Sequence, residues 1–339
     1  MAETMKAVDI KGGKGPISSL FINDIPRPKP TGAQALVRIR AFGLNRMDLL
    51  QRAGLYPLPP QAPSTLGVEF SGEIVEFGDS SEHGFKIGDA VFGLAYGGAY
   101  AEYIAVSAGM LVHKPEELSW EQCAGIPEVW ITALQAMYQV GEYKPGMSVL
   151  WHAGASGVSI AGQQLSRADG AKAVYATTRS QEKCDFCVNE LGADAAFNAG
   201  KDAEPWEQQV LKATDGKGVD LIIDYVGAGY FQQNLDAAAT DAHIINLGAL
   251  GGVRLTKGAD ISAFIRKRLR YEGSSLRSRD EAYQGKLRDQ LVKHALPKFK
   301  DGSFKVLVEK VFPWDQIQDA HKMMESNQTK GKLICKIDW

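Results

Sequence analysis

Over roughly the first 125 residues, apolar positions come in short alternating runs broken by glycine and proline. Residues 5–9 and 35–41 read as strands, the second with clear alternation. Pro26, Pro28 and Pro30 separate them as an extended connector. A short helical run opens over residues 42–48 and ends near Gly54, and residues 56–60 form a proline-rich loop. Residues 66–77 and 89–94 again read as strands, and residues 97–104 continue the pattern. Short strands with this punctuation predict a compact barrel-like β domain.

The period changes near Ser119. Residues 120–140 are helical with a break at Pro127. Strands at 148–152, 173–178, 195–198, 219–225 and 242–247 then alternate with helices at 158–169, 180–191, 205–213 and 231–238. Such alternation predicts a parallel, doubly wound sheet. The last of these strands, 242–247, is expected at a sheet edge, open to a second subunit. Beyond Tyr271 a helix (280–296), a strand (305–311), a helix (314–325) and a final strand (332–337) read as a return to the first domain.

One stretch organises the second half. Val149, Leu150, Trp151 and His152 run into Ala153-Gly154-Ala155-Ser156-Gly157, and Val158, Ile160, Ala161 and Leu165 follow at helical spacing. Strand, glycine turn and helix start are what a pyrophosphate needs, because free N–H groups face the charge. The G-x-G-x-x-G pattern is incomplete, with Ser159 where a further glycine would stand. The next strand ends at Thr178, about 21 residues beyond Gly157, without the Asp or Glu that would take ribose hydroxyls. Arg179, Ser180 and Lys183 follow it instead and suit a 2′-phosphate, so NADPH is expected over NADH. The alternative for Arg179 and Lys183 is a solvated helix face.

Composition narrows the class. The 339 residues carry a net charge of −2, so neither nucleic acid nor an anionic membrane is expected as the main partner. No apolar run approaches a membrane span, no signal pattern opens the chain, and four cysteines are too few for a disulfide scaffold; the cytoplasm is the expected location. His83, His113, His152, His243, His294 and His321 are scattered, and no metal site is expected. Cys184 and Cys187 read better as two small apolar helix positions than as a redox or metal pair. No paired-carboxylate pattern stands out.

At this point the chain resembles a family. Residues 43–52 (GLNRMDLLQR), 66–72 (LGVEFSG), 126–133 (IPEVWITA), the glycine turn and 276–280 (LRSRD) together resemble the medium-chain dehydrogenase/reductases. Within these, the chain is similar to the zinc-independent, zeta-crystallin-like NADPH:quinone oxidoreductases, and especially to their tumour-suppressor-inducible subgroup. The resemblance implies an α/β protein with a GroES-like β-barrel catalytic domain (1–127 and 273–339) and a Rossmann cofactor domain (128–272). The catalytic zinc ligands of other members fall on Asn45, Val68 and Glu128, two of which cannot replace them. Asn45 and Tyr56 are the implied catalytic residues. Thr132 would bond the nicotinamide region, and Gly154, Ser156, Gly157 and Val158 the pyrophosphate. Gly227, Gly248 and Leu250 would line the cofactor, and Leu276 and Lys332 would close over it. The implied activity is hydride transfer from NADPH to a quinone, in a homodimer. Two alternatives stay open: an enone or alkenal reductase, for which Tyr56 is the candidate proton donor, and a non-catalytic NADPH- or RNA-binding protein. For the latter, Arg266, Lys267, Arg268 and Arg270 are the candidate phosphate contacts, against a solvated surface segment.

Overall fold

The computed structural model describes residues 3–79, 84–255 and 258–339; His83 lies outside them. The chain divides into two units, one of residues Met1–Ile131 with Arg277–Trp339, the other of Thr132–Leu276.

The first unit opens with strands β1 (Thr4–Ile10) and β2 (Leu20–Pro26), an antiparallel pair. The sequence gives no signal for β2, which pairs on one side only and buries little beyond Leu20. Pro26 is therefore the end of a strand and not part of the connector, which an edge strand tolerates. β3 (Gln34–Gly43), helix α1 (Arg46–Arg52), β4 (Glu69–Phe77), β5 (Ala90–Leu94), β6 (Tyr103–Ser107) and β7 (Leu111–His113) follow. β4 begins at Glu69, so residues 66–68 of the expected strand lead into it as loop. Helix α2 (Trp120–Ala124) starts at a capping box: Ser119 Oγ accepts the Gln122 N–H at 3.1 Å while Gln122 Oε1 accepts the Ser119 N–H at 2.9 Å. Pro127 then opens α3 (Pro127–Leu134), which runs on through a π-helical turn at Gln135–Val140.

The second unit holds β8 (Ser148–Trp151), α4 (Gly157–Ala168), β9 (Ala173–Thr178), α5 (Gln181–Asn189), β10 (Ala195–Asn198), α6 (Trp206–Ala213), β11 (Val219–Asp224), α7 (Phe231–Ala237), β12 (Ala238–Asn246), α8 (Ser262–Arg266) and β13 (Arg270–Gly273). Its sheet runs β10-β9-β8-β11-β12-β13, with every pair parallel. That is the order 3-2-1-4-5-6 of dinucleotide-binding sheets, whose crevice opens beyond the first and fourth strands. Here these are β8 and β11. One expectation fails: β12 is not an edge, because β13 pairs beyond it, His243 opposite Arg270 and Ile244 opposite Tyr271. Arg-Tyr-Glu-Gly has no apolar alternation, so the sequence hides this strand.

The return segment adds α9 (Glu281–Gln290), a π-helical turn at Leu291–Ala295, α10 (Leu296–Lys300), β14 (Val308–Pro313), α11 (Ile317–Glu325) and β15 (Lys332–Lys336). The expected strand at 305–311 begins three residues later, at Val308, next to Leu307, whose carbonyl accepts the Lys332 N–H at 2.8 Å. The first unit's main sheet orders β14-β15-β3-β4-β5-β7, with β6 also on β3. It is antiparallel except for β14 with β15, and β15 returns the C-terminal segment to β3.

Candidate active site

In the first unit, β3 ends just short of Asn45, which leads into α1 with an extended backbone. Its amide is fully engaged. Nδ2 donates to Glu69 Oε1 at 2.9 Å, and Oδ1 accepts from Lys332 Nζ at 2.9 Å. Lys332 opens β15, is 5% exposed, and also reaches the Leu44 carbonyl at 2.7 Å and Glu69 Oε1 at 2.5 Å. Glu69 Oε2 accepts the backbone N–H of Glu128 at 2.9 Å. Lys332, expected over the cofactor, thus spends its ammonium on three acceptors of its own unit.

Two further carboxyls belong to this cluster. Asp48 is fully buried; it accepts the Asn45 N–H at 2.8 Å, the Gly67 N–H at 3.3 Å and the Tyr100 hydroxyl at 3.1 Å. Burial raises its carboxyl to about 6 against those bonds and the nearby cations Lys332 and Arg277. Glu128 is half-buried at the start of α3, and burial, then the charge of Glu69, pushes it to about 7. The expectation of no paired carboxylates is therefore corrected. Asp48, Glu69 and Glu128 come from α1, β4 and α3, so no local spacing announces them. Behind Asp48 the network continues through Tyr100, His321 and Arg52 to Glu325, by contacts of 3.4, 3.0 and 2.5 Å. Burial, then the Arg52 charge, drops the His321 imidazole to about 3, so it is neutral there.

Tyr56 sits half-buried beside Arg277, whose guanidinium carbon lies 5.4 Å from the ring centre. Burial, then the charge of Glu128, raises its phenol above the usual range. Arg277 is 4% exposed and donates Nε to the Tyr96 carbonyl at 2.6 Å and Nη1 to Gln51 Oε1 at 2.9 Å. Its Nη2 is buried without a hydrogen-bond partner. The sequence placed Arg277 in a motif but gave it no role, because nothing local marks a cation that will be buried.

In the second unit the glycine turn leaves β8 at the expected place. Ala153 takes a left-handed φ of 48°, and the Gly154 N–H bonds the Thr177 carbonyl at 2.8 Å. α4 begins at Gly157 with no side chain capping it at Ser156; Ser156 Oγ instead lies 3.2 Å from Ser159 Oγ. Ser159 donates to the His152 carbonyl at 2.6 Å. The close helix–strand approach expected of a third glycine belongs to Gly162, where a Cβ would stand 2.2 Å from the Trp151 ring. His152 is a packed strand-end residue, fully buried between Thr177 Oγ1 at 2.8 Å and Asn234 Oδ1 at 2.7 Å.

At the end of β9, Ser180 Oγ caps α5 by accepting the Lys183 N–H at 3.4 Å; Arg179 is exposed and Lys183 half-buried. Gly227 (φ 74°) and Gly248 lie in the loops after β11 and β12. Asp224 ties the first loop down by accepting the Val226 N–H at 2.7 Å and the Gly227 N–H at 3.2 Å. Leu250 is exposed, Leu276 buried and Val158 half-buried. Thr132 Oγ1 is buried without a hydrogen-bond partner. An uncapped twelve-residue helix at the crevice and an orphaned hydroxyl fit a dinucleotide with its phosphates at α4 and an amide at Thr132.

Two other candidates can be placed. Lys267 Nζ donates to the carbonyls of Leu235, Asp236 and Ala238, Arg268 forks onto Asp241 at 2.6–2.7 Å, and Arg270 meets Glu142 at 3.0 Å. Arg266, the fourth member of that basic run, lies exposed 3.9 Å from Asp260. Cys184 and Cys187 are buried on α5, and among the described residues no three His, Cys, Asp or Glu side chains are set to hold a metal ion.

Comparison with known proteins finds two family matches. The zinc-binding dehydrogenase family matches residues 157–291, and the alcohol dehydrogenase GroES-like domain matches residues 31–116. A zinc-type alcohol dehydrogenase-like protein of Schizosaccharomyces pombe is 30% identical, over 93% of this chain and 94% of its own. The quinone oxidoreductase of Homo sapiens is 29% identical, over 97% of each. A phenolphthiocerol/phthiocerol polyketide synthase subunit of Mycobacterium tuberculosis is 27% identical over 95% of this chain, which spans only 14% of that protein. The solved structure of a mycobacterial protein complexed with NADPH superposes with a TM-score of 0.85 at 25% identity, covering 98% of this chain and 99% of that one. The chain belongs to the medium-chain dehydrogenase/reductase superfamily. It carries that superfamily's GroES-like domain and Rossmann-type domain. Among the described residues no helix is long and apolar enough to cross a membrane.

Proposed function

We propose that this chain takes hydride from NADPH and delivers it to a quinone or a similarly electrophilic conjugated carbonyl. Residues 128–272 would bind the cofactor, and residues 1–127 with 273–339 the acceptor. The observation that carries this reading is the chemistry of the first unit's cluster. By the family resemblance Asn45, Val68 and Glu128 fall at the three zinc positions of other members, and Asn45 is already bonded to Glu69 and Lys332. An alcohol needs a Lewis acid to polarise it. A quinone carbonyl is electrophilic already and needs orientation, shielding and protons. NADPH when bound supplies the hydride. Around it, Thr132 would hold the nicotinamide amide, the start of α4 the pyrophosphate, and Ser180 with Lys183 and Arg179 a 2′-phosphate. The quinone oxidoreductase name of a relative aligned from end to end also supports the acceptor.

The test is NADPH and NADH oxidation by the purified protein with 1,4-benzoquinone, 9,10-phenanthrenequinone and an alkenal. Faster NADPH consumption with a quinone is the expected outcome. Lys183→Ala should raise the KM for NADPH about tenfold and leave that for NADH unchanged, the loss expected for one charge-assisted bond. A preference for NADH would overturn the 2′-phosphate assignment, and turnover with the alkenal alone would move the reaction to C=C reduction. A homodimer remains our expectation, with β13 as the edge on that side of the sheet, and sedimentation tests it.

A further inference from the structure

We propose that the Glu128 carboxyl is the proton donor to the reduced acceptor, an inference that rests on the reductase reading above. Asp48, Glu69, Lys332 and Arg277 all carry side-chain hydrogen bonds inside the first unit. Among the described residues, no protein group hydrogen-bonds the Glu128 carboxyl. Its backbone is nonetheless fixed, because its N–H clamps Glu69 Oε2 at 2.9 Å. The same first turn is anchored by Trp130, whose ring packs 4.6 Å from Phe299 and 4.8 Å from Phe304. A free acid on a rigid element is what a positioned donor requires.

The surroundings set its charge. Glu69 and Asp48 face it as like charges, Lys332 and Arg277 as opposite ones, and burial outweighs them all. The result, about 7, leaves the acid form populated in neutral water and easily reloaded. Tyr56, the candidate donor of the enone or alkenal alternative, keeps its proton more tightly, because burial and then the charge of Glu128 raise its phenol. Arg277, beside Tyr56, adds a fixed cation in the same neighbourhood for an oxygen that becomes negative.

The step balances as follows. With NADPH bound, its nicotinamide C–H bond would break and the hydride, with its electron pair, would end in an O–H bond on one quinone oxygen, leaving the other quinone oxygen an oxyanion. The O–H bond of Glu128 breaks and a new O–H bond forms on that oxygen. NADP+ and hydroquinone leave, and the Glu128 carboxylate takes a proton from solvent. Because the acid form is lost as pH rises through about 7, the rate should fall above that pH.

The experiment compares wild type, Glu128→Gln and Glu128→Asp with NADPH and 9,10-phenanthrenequinone from pH 5.5 to 9, with NADPH affinity followed by fluorescence and folding by thermal melt. In wild type, kcat/KM should be level below about pH 7 and fall about tenfold per unit above it. Glu128→Gln should lose at least tenfold at pH 6.5 and flatten the profile, with NADPH affinity and melting retained. Glu128→Asp should recover part of the rate together with the fall. A Glu128→Gln enzyme with the wild-type rate and profile overturns the proposal, and so does a lowered rate that keeps the wild-type fall. If wild type binds NADPH but reduces no acceptor, the reductase reading fails first and takes this proposal with it.

Discussion

In the second unit the candidate dinucleotide turn is made by neighbours in sequence, from Trp151 through Gly157, and it works through backbone shape. In the first unit the acid cluster gathers Asn45, Asp48, Glu69, Glu128, Arg277 and Lys332 from distant parts of the chain, and it works through charge. The turn leaves a helix end uncapped, whereas the cluster ties Asn45, Asp48, Glu69 and Lys332 together and leaves the Glu128 carboxyl as its one acid without a partner among the described residues. The two should therefore fail differently. A local, shape-based site is damaged by adding atoms. A gathered, charge-based site is damaged by removing one member and leaving the others uncompensated.

The largest effect is expected at Lys332. Lys332→Met removes a buried cation from Glu69, whose side chain is 0% exposed, and strips a donor from Asn45 Oδ1 and the Leu44 carbonyl. Breaking one side of such a pair costs about 3–5 kcal/mol, so urea denaturation should show a loss of that size. The double variant Glu69→Gln, Lys332→Met should recover part of it, because no lone buried charge remains. A loss below about 1 kcal/mol for the single variant would mean the pair behaves like a solvated surface bridge, and the contrast between the units would collapse.

Next comes Gly162. An alanine there puts its Cβ at 2.2–2.4 Å from three atoms of the fully buried Trp151 ring. Overpacking of this kind costs about 1–3 kcal/mol. Gly162→Ala should lower the melting temperature, and adding Trp151→Phe, which frees space, should restore part of it. A variant as stable as wild type would show that α4 can move away from β8, and so that the turn is not held by close approach.

This contrast also explains what the sequence could tell. The sheet alternation and the strand–turn–helix of the nucleotide unit were legible because each signal sits within about fifteen residues. β13 was not: its four residues carry no alternation, and only pairing with β12 makes them a strand. Ser159 looked like a lost packing glycine, yet the packing role lies three residues on, where only the Trp151 ring reveals it. In the first unit Asn45 was legible through its motif. Glu128 stood out only as a replaced ligand position, and its lack of a partner depends on where Glu69, Arg277 and Lys332 end up. Burial and pairing of charges are tertiary facts, and a one-dimensional pattern does not hold them.

The smallest effect is expected at Ala153, and it isolates backbone shape from everything else. Ala153 holds a φ of 48° between β8 and Gly154, in the region that costs an L-residue about 1–2 kcal/mol. Ala153→Gly would remove that strain but add about 0.5–1 kcal/mol of unfolded-chain entropy. The two largely offset, so the net should be a gain of between zero and about 1.5 kcal/mol, read as a small rise in melting temperature. A loss larger than 1 kcal/mol would show that the half-buried Ala153 methyl makes contacts worth more than its backbone strain. The turn would then be held by side-chain packing, as the acid cluster is held by its pairs.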